Sequence, residues 1–274
     1  MYEILLSDKH FDKHNLQKYH LVVLPSGNFF SAVYYDKSQK KIVRYYKSDL
    51  KQFGIFLQEN KNAGNKILLI CSRKNSSVPY TFFSEDKLDL FFGITNQKEA
   101  SEEIAFDEVL FDKIINVFAV DEYLYTTSKE NGFKFRSCFT LFYDILIALY
   151  KHDNNIPVTL VGIFEGFFFL FMMQNNKVYV ANVIRYGSIN DFLYHILNLY
   201  DKYALDKRKT KLFFISNSQF RYEGLSKILR KYGFKDMILL SDVPNDFLSY
   251  KLTSISAKEL YLFYKFLSFE DNRR

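Results

Sequence analysis

The sequence has no tryptophan, only two cysteines and four prolines, and no apolar run long enough to span a membrane. Two cysteines are too few for a disulfide framework or a cysteine-rich zinc module. The most apolar stretch, residues 158–173, is shorter than the ~20 residues of a spanning helix and includes Glu165. Residues 1–12 carry Glu3 and Asp8 and lack the pattern of a signal peptide. We therefore expect a cytoplasmic protein with no membrane insertion.

The two cysteines, Cys71 and Cys138, stand 67 positions apart, each within an apolar segment. Free cysteines in such segments behave as small buried apolar side chains, and disulfides are rare in the cytoplasm. We therefore predict two buried, reduced thiols.

Apolar residues make up 48% of the 274 residues, which is enough for a substantial core and excludes wholesale disorder. The chain has 37 Lys and Arg against 31 Asp and Glu, which gives a net charge of +6. Its aromatic residues, 30 Phe and 21 Tyr, occur mostly in runs typical of buried strands. Stacking on single-stranded nucleic acid would need exposed aromatic residues in a basic groove, so this composition favours core packing.

A strand–strand–strand–helix–strand pattern is predicted in the first part of the chain. Three short runs rich in β-branched and aromatic residues favour strands. Leu50, Phe53 and Phe56 lie on one face of the helix that follows. The four strands cover residues 20–24, 29–35, 42–46 and 66–70.

The same pattern recurs in the second part of the chain. Three apolar runs are again separated by turns, and a helix opens at Ser188 with Asp191 three residues on, as in a capping box. The four strands cover residues 158–164, 167–173, 178–186 and 211–215.

Two pairs of landmarks relate the copies. Gly27 and Gly166 are separated by 139 positions, and Lys66 and Lys211 by 145 positions. Such similar separations predict an internal duplication.

Further helices and strands follow each copy. Predicted strands cover residues 114–120, 133–137 and 236–240, and predicted helices cover 121–130, 140–150, 222–232 and a segment that opens at Ser256. Residues 73–113 have no counterpart in the second copy, so we predict an insertion there. The prediction is therefore an α/β protein of two halves, residues 1–150 and 151–274.

Three antiparallel strands, a helix, a strand and further α/β units follow the order of the ribonuclease H-like fold. Two such units in tandem resemble the actin-like ATPase fold of actin, the sugar kinases and the type IV pilus assembly protein PilM. At a finer level, the segments Tyr19–Val23, Asn116–Val120 and Asn190–His195 are similar to a Bacteroidetes family of unknown function. None of these segments is a catalytic signature, so the resemblance implies a fold and not an activity.

The resemblance also implies that one glycine-containing turn in each half would face a nucleotide. In actin-like ATPases such turns offer backbone N–H groups to phosphates, and an Asp organises Mg²⁺. In the first turn here, Ser26, Gly27 and Asn28 are small or polar, but no Asp occurs. Pro25 also removes one N–H donor.

The second turn has Glu165 and Gly166 between two phenylalanines, and Glu165 would replace the missing Asp. The Gly-Gly pair that the family places near adenine is absent, and residues 215–218 occupy its position. A degenerate cleft would be lined by Ser26, Gly27, Asn28, Glu165, Gly166 and Asn217. We predict no catalytic residues, no metal and no cofactor, with ATP and Mg²⁺ as the alternative.

Other catalytic patterns are weak. A two-metal nuclease needs carboxylates on central strands, and residues 20–24 and 158–161 contain none. His10 and His14 stand four positions apart, but a zinc site would need a third ligand. We expect a solvated N-terminal segment there.

Two basic segments are present, Lys207–Lys211 and a hairpin with Lys37, Lys40, Lys41 and Arg44. We expect both to be solvated turns, with a phosphate or acidic-partner patch as the alternative.

Taken together, the residues favour a non-catalytic actin-like scaffold or adaptor that acts through protein–protein contacts. Two alternatives stay open: a degenerate nucleotide-binding protein of the actin-like superfamily, and a nucleic-acid binder that uses the basic loops. A scaffold should expose an apolar patch or a symmetric interface. We expect a protein partner rather than nucleic acid, and we leave a homo-oligomer open.

Overall fold

The computed structural model describes residues 4–152, 156–216 and 219–271. The chain divides into two compact units, one of Met1–Thr140 with Val243–Arg274 and one of Leu141–Asp242. This division differs from the predicted halves in that the C-terminal segment packs with the first unit.

The described residues form fourteen strands and seven α-helices. The strands are β1 (Ile4–Ser7), β2 (Tyr19–Ser26), β3 (Phe29–Asp36), β4 (Lys41–Asp49), β5 (Lys66–Ile70), β6 (Asn75–Pro79), β7 (Glu102–Glu108), β8 (Ile114–Asp121), β9 (Lys134–Ser137), β10 (Val158–Ile163), β11 (Phe167–Gln174), β12 (Lys177–Arg185), β13 (Lys211–Ser216) and β14 (Met237–Leu239). The helices are α1 (Phe53–Glu59), α2 (Leu88–Gly93), α3 (Glu122–Glu130), α4 (Cys138–His152), α5 (Ile189–Lys202), α6 (Gln219–Lys231) and α7 (Ala257–Asp271). Within these described segments, no helix combines the length and apolarity needed to cross a membrane.

A six-stranded sheet forms the core of the first unit, in the order β1-β4-β3-β2-β5-β9. β2, β3 and β4 are antiparallel neighbours, whereas β5 runs parallel to β2, and β9 runs parallel to β5. Val22, Val33 and Leu68 on the inner strands are fully buried, as expected for apolar runs in a sheet covered on both faces. The edge strand β1 was not among the predicted strands because its apolar run is short.

The described part of the second unit repeats this sheet without a counterpart of β1, in the order β12-β11-β10-β13-β14. The pairings have the same directions, antiparallel among β10, β11 and β12 and parallel from β10 through β13 to β14. The strand–strand–strand–helix–strand pattern predicted for both copies is therefore confirmed.

A separate three-stranded antiparallel sheet, in the order β6-β8-β7, belongs to the first unit. Helix α2 packs on it, and Phe92, Ile104 and Val117 share its small core. Residues 114–120 were predicted as a strand of the first copy, outside the insertion. The strand itself is confirmed as β8, and it is the middle strand of the small sheet. Its apolar pattern specifies a strand but not the partner it pairs with.

Helices α1 and α5 bury apolar faces in their own units. The Phe56 ring of α1 lies 5.0 Å from the Phe30 ring. At the start of α5, the Ser188 hydroxyl accepts the Asp191 N–H, and the Asp191 carboxylate accepts the Ser188 N–H. The predicted capping box is thus confirmed.

Helix α7 packs on the first unit through contacts with two of its strands. Glu270 of α7 forms an ion pair of 3.1 Å with Arg136 of β9. The Tyr35 hydroxyl of β3 donates to the Asp271 carboxylate. The Tyr35 ring also stacks on Phe247, 5.4 Å between centroids, in the segment that leads to α7. These contacts explain why residues 243–271 belong to the first unit.

The two cysteines are joined in a disulfide between Cys71 and Cys138. Ile70 and Ser137 are partners in the parallel pairing of β5 and β9, so the cysteines follow at adjacent strand ends. Their Cα atoms are 4.9 Å apart, within the range of disulfides. The prediction of two reduced thiols is wrong, because strand register brings together residues that are distant in sequence.

Gly162 of β10 makes room for the fully buried Phe142 ring of α4. A Cβ atom at position 162 would overlap carbons of that ring. We therefore expect Gly162→Ala to lower the free energy of unfolding by about 1–3 kcal/mol through overpacking. Chemical denaturation monitored by circular dichroism measures the change.

Gly224→Ala is the matched control, because a Cβ atom at this position in α6 meets nothing within 4 Å. Alanine there should raise the free energy of unfolding by up to about 1 kcal/mol. Equal destabilisation by the two substitutions would contradict the assigned role of Gly162.

Candidate functional site

The first predicted phosphate turn is the hairpin between β2 and β3. Ser26, Gly27 and Asn28 lie together there, exposed, with Gly27 at φ +57°. The Asn28 carbonyl accepts the N–H of Leu50 at 2.8 Å. This turn offers a hydroxyl and an amide but no carboxylate, so it has no charged oxygen for a divalent cation.

The second predicted turn joins β10 and β11 and is held by its own backbone. The Phe164 N–H donates to the Phe167 carbonyl at 3.0 Å. The Tyr186 hydroxyl donates to the Phe164 carbonyl at 2.8 Å, and the Tyr186 N–H donates to the Gly166 carbonyl at 3.1 Å. Glu165 is exposed at the tip of the turn, and it is the one acidic residue among residues 164–167.

A cluster of phenylalanine rings lies at the base of this second turn. The Phe164 ring stacks on Phe167 at 5.1 Å between centroids and contacts Phe169 at 5.0 Å. Phe142 of α4 contacts the same group, 5.2 Å from Phe169. An anion at this turn would lie beside aromatic carbon, which cannot replace the water that the anion loses.

The predicted site residues thus fall into two separate groups. Ser26, Gly27 and Asn28 share one turn of the first unit, and Glu165 and Gly166 share one turn of the second. Asn217 lies outside the described residues. A shared cleft between the two turns stays a prediction.

Metal-ligating residues are dispersed over the part of the chain that the structure describes, where no group of three or more His, Cys, Asp or Glu could hold an ion. His10 and His14 lie in the exposed loop after β1 rather than on a helix face. The backbone N–H of His10 donates to the Asp8 carboxylate at 2.8 Å, and the backbone N–H of His14 donates to the Asp12 carboxylate at 2.9 Å. The prediction of a solvated N-terminal segment therefore holds for the two histidines but not for Phe11 between them, which packs against the core of the first unit.

The basic residues are partly engaged within the chain. Lys207 and Lys209 lie 3.8 and 4.0 Å from the carboxylates of Asp201 and Asp206. Arg44 was predicted with a solvated hairpin, and that placement is wrong. Its guanidinium carbon packs 4.6 Å from the centroid of the Phe11 ring and 5.2 Å from that of Tyr34. Stacking on two rings withdraws this cation from any phosphate-binding patch.

A buried carboxylate that the sequence did not indicate lies at the start of α4. Asp107 of β7 accepts the Ser137 N–H at 2.7 Å and the Thr140 hydroxyl. The group is buried, and its burial raises the pKa of the Asp107 carboxyl to about 7, although the Ser137 N–H, Thr140 and Arg136 oppose the shift. An acidic residue at the end of a short strand carries no pattern that predicts such burial.

Comparisons with known proteins agree with this fold. The profile of the DUF3822 family, described as "Protein of unknown function", matches residues 8–233. No curated protein matches the sequence. A solved structure from Bacteroides thetaiotaomicron, described as a protein with actin-like ATPase fold and unknown function, aligns with a TM-score of 0.68 and 15% identity. That alignment covers 89% of this chain and 97% of the other.

The PilM–PilN type IV pilus biogenesis complex contains a second similar chain. It aligns with a TM-score of 0.51 and 9% identity, over 91% of this chain and 96% of the other. At such identities the likeness shows the fold alone. The chain therefore has the actin-like ATPase fold, and the prediction drawn from the resemblance is confirmed.

The raised pKa of Asp107 predicts a pH dependence of stability. The native carboxyl holds its proton up to about pH 7, whereas an unfolded Asp loses it near pH 4. The native state thus binds more protons in this window, and the free energy of unfolding should fall as pH rises from about 4 to about 7. Asp107→Asn keeps an acceptor but cannot ionise, so its denaturation series should be flatter over this window.

Asp36→Asn serves as the control. Burial raises the pKa of this carboxyl, but Lys18, 2.7 Å away, and hydrogen bonds from Ser38 and Gln39 hold it below its usual range. Its stabilising effect is lost only as pH falls through that lowered pKa. Asp36→Asn should therefore lower stability without flattening the window above pH 4. Parallel curves for wild type and Asp107→Asn would refute the assignment.

Proposed function

The chain belongs to the DUF3822 family of proteins of unknown function, and we propose that it is a non-catalytic scaffold or adaptor acting through protein–protein contacts. The observation that supports this proposal is a set of exposed apolar side chains within residues 80–94, here named the 80–94 surface. Its members Tyr80, Phe82, Leu90 and Ile94 are 56%, 72%, 62% and 71% exposed. Exposed apolar groups that cluster are typical of interaction sites.

These four side chains are closer together in the sequence than an even distribution of exposed hydrophobic residues would place them. The described residues include fifteen exposed large hydrophobic side chains, of which these four fall within a stretch of 15 residues. An even spread would place about one there, and isolated exposed hydrophobic residues need no explanation. The concentration therefore indicates a surface that a partner covers.

The two turns support a role without catalysis. The first has no carboxylate, and the second has one exposed Glu165 above a cluster of phenylalanine rings. Phosphoryl transfer depends on positioned charges that neutralise phosphate oxygens, and these turns supply few. The similar PilM chain was solved in a complex with PilN, so this fold occurs in a protein-binding component.

Thermal unfolding with and without millimolar ATP and Mg²⁺ separates this proposal from nucleotide binding. A ligand at about 100 times its Kd adds about 2.7 kcal/mol, which is a rise of several degrees in Tm. We expect no rise, because the turns lack the charges that would hold Mg²⁺ and phosphate.

Glu165→Gln and Glu130→Gln are the matched pair for this measurement, since both carboxylates are exposed and only Glu165 belongs to a turn. A rise in wild type that Glu165→Gln abolishes and Glu130→Gln keeps would overturn the proposal in favour of a nucleotide-binding protein.

A further inference from the structure

Helix α2 carries apolar side chains on two opposite sides. Phe91 and Phe92 face the small sheet and pack in its core. A 3-10 turn at Glu85–Lys87 leads directly into α2, and Ile94 continues the helical conformation at φ −62° and ψ −39°. At about 100° per residue, Leu90 and Ile94 share the face opposite to that core. Apolar residues on two opposite sides of a helix are typical of a helix that is covered on both of those sides.

Phe82 ends an earlier 3-10 turn, Tyr80–Phe82, and the residue that follows it packs against α2 and the small sheet. The neighbouring Phe83 ring packs 6.1 Å from the centroid of the Phe91 ring and 4.8 Å from that of Phe106. The turn is also anchored at its start, where the Tyr80 N–H donates to the Lys113 carbonyl at 3.0 Å. The 80–94 surface is therefore presented by a packed substructure, which limits the entropy lost when a partner binds.

Acidic residues accompany these apolar side chains. Glu85, Asp86 and Asp89 against Lys87 give this segment a net charge of −2, in a chain whose net charge is +6. Asp86 lies one helical turn before Leu90, on the same outward face. The Ser84 hydroxyl donates to Asp86 and holds the pKa of that carboxyl below its usual range, so it is charged at neutral pH.

We infer that the 80–94 surface binds a short amphipathic segment of a partner protein, in which aliphatic residues are flanked by Lys or Arg. Aliphatic side chains would cover Phe82, Leu90 and Ile94, and the cations would meet Glu85, Asp86 and Asp89. This inference rests on the proposed adaptor function and specifies its partner.

Charge also disfavours the other occupants. In a symmetric pair of copies the same surface meets itself, so the carboxylates would face carboxylates. An anionic lipid surface would repel them as well. A basic amphipathic segment is the occupant that satisfies both the apolar groups and the charges.

Fluorescence anisotropy with three labelled peptides of about 14 residues tests the inference. One is an amphipathic helix of Leu and Lys, the second has Glu in place of each Lys, and the third is the Lys peptide scrambled to remove its apolar face. The amphipathic Lys peptide should bind at least about tenfold more tightly than either of the others, because only it matches both features.

Variants locate the binding. Leu90→Ser with Ile94→Ser should weaken the Lys peptide about tenfold at any salt concentration, because apolar contact area is lost. Glu85→Gln with Asp89→Asn should weaken it about threefold at low salt and hardly at high salt, because exposed charges are screened. Tyr250→Ser, at a residue that is 89% exposed elsewhere in the first unit, is the matched control and should change nothing. Thermal unfolding confirms that each variant is folded.

Equal binding of the Glu peptide or the scrambled peptide would overturn the inference, as would unchanged binding to the Leu90 and Ile94 variant. Sedimentation showing a dimer that this variant dissociates would assign the surface to a second copy and overturn it too. These failures concern the partner's chemistry and leave the adaptor role standing if ATP produces no thermal shift. A shift that Glu165→Gln abolishes would instead overturn the adaptor role itself.

Discussion

One buried carboxylate connects three parts of the first unit. Asp107 belongs to the small sheet, the N–H that it accepts belongs to Ser137 at the end of β9, and the hydroxyl belongs to Thr140 in α4. The N–H groups in the first turn of a helix lack partners within the helix. Here the carboxylate of Asp107, from the small sheet, accepts the N–H of Ser137, which lies directly before α4. The small sheet that carries the 80–94 surface is thereby tied to the large sheet. The Cys71–Cys138 disulfide joins β5 and α4 at the same strand ends.

Five strands of the first large sheet, β4-β3-β2-β5-β9, have the same order as β12-β11-β10-β13-β14, but the corresponding turns carry different side chains. The β2–β3 turn is small and polar, whereas the β10–β11 turn rests on phenylalanine rings. Backbone pairing determines the fold, and the side chains at strand ends determine chemistry, so the same fold carries many functions. The exposed apolar side chains that are concentrated in sequence lie instead within residues 80–94. None of the residues that were predicted to line a nucleotide site belongs to the 80–94 surface.

Local patterns in the sequence predicted the repeated strands and several helices well. Alternating apolar runs and the Ser188 capping box depend on residues a few positions apart, so they can be recognised without a structure. The partner of β8, the pairing of Cys71 with Cys138 and the packing of Arg44 between two rings depend on long-range contacts. No local pattern encodes those contacts, so the partner of β8 could not be predicted, and the predictions of two reduced thiols and of a solvated Arg44 were wrong.

Only part of the candidate site could be predicted from the sequence. The residues of the two turns could be selected because glycine at positive φ marks a turn, as Gly27 and Gly166 show. Whether α2 is apolar on its outer side could not be known before the small sheet defined an inner side. Leu90 and Ile94 are aliphatic, like most core residues, and only the structure shows that they are exposed.

The packing of α7 has a consequence for the order in which the chain folds. Residues 141–242 are continuous in sequence, so the second unit has all of its strands once the ribosome has released them. The first unit must wait for residues 243–271, which are synthesised after the second unit and supply Glu270 and Asp271 to its sheet. Domains fold as units during synthesis, and distant contacts delay the unit that needs them. The unit whose synthesis begins first is therefore the unit that completes its folding last.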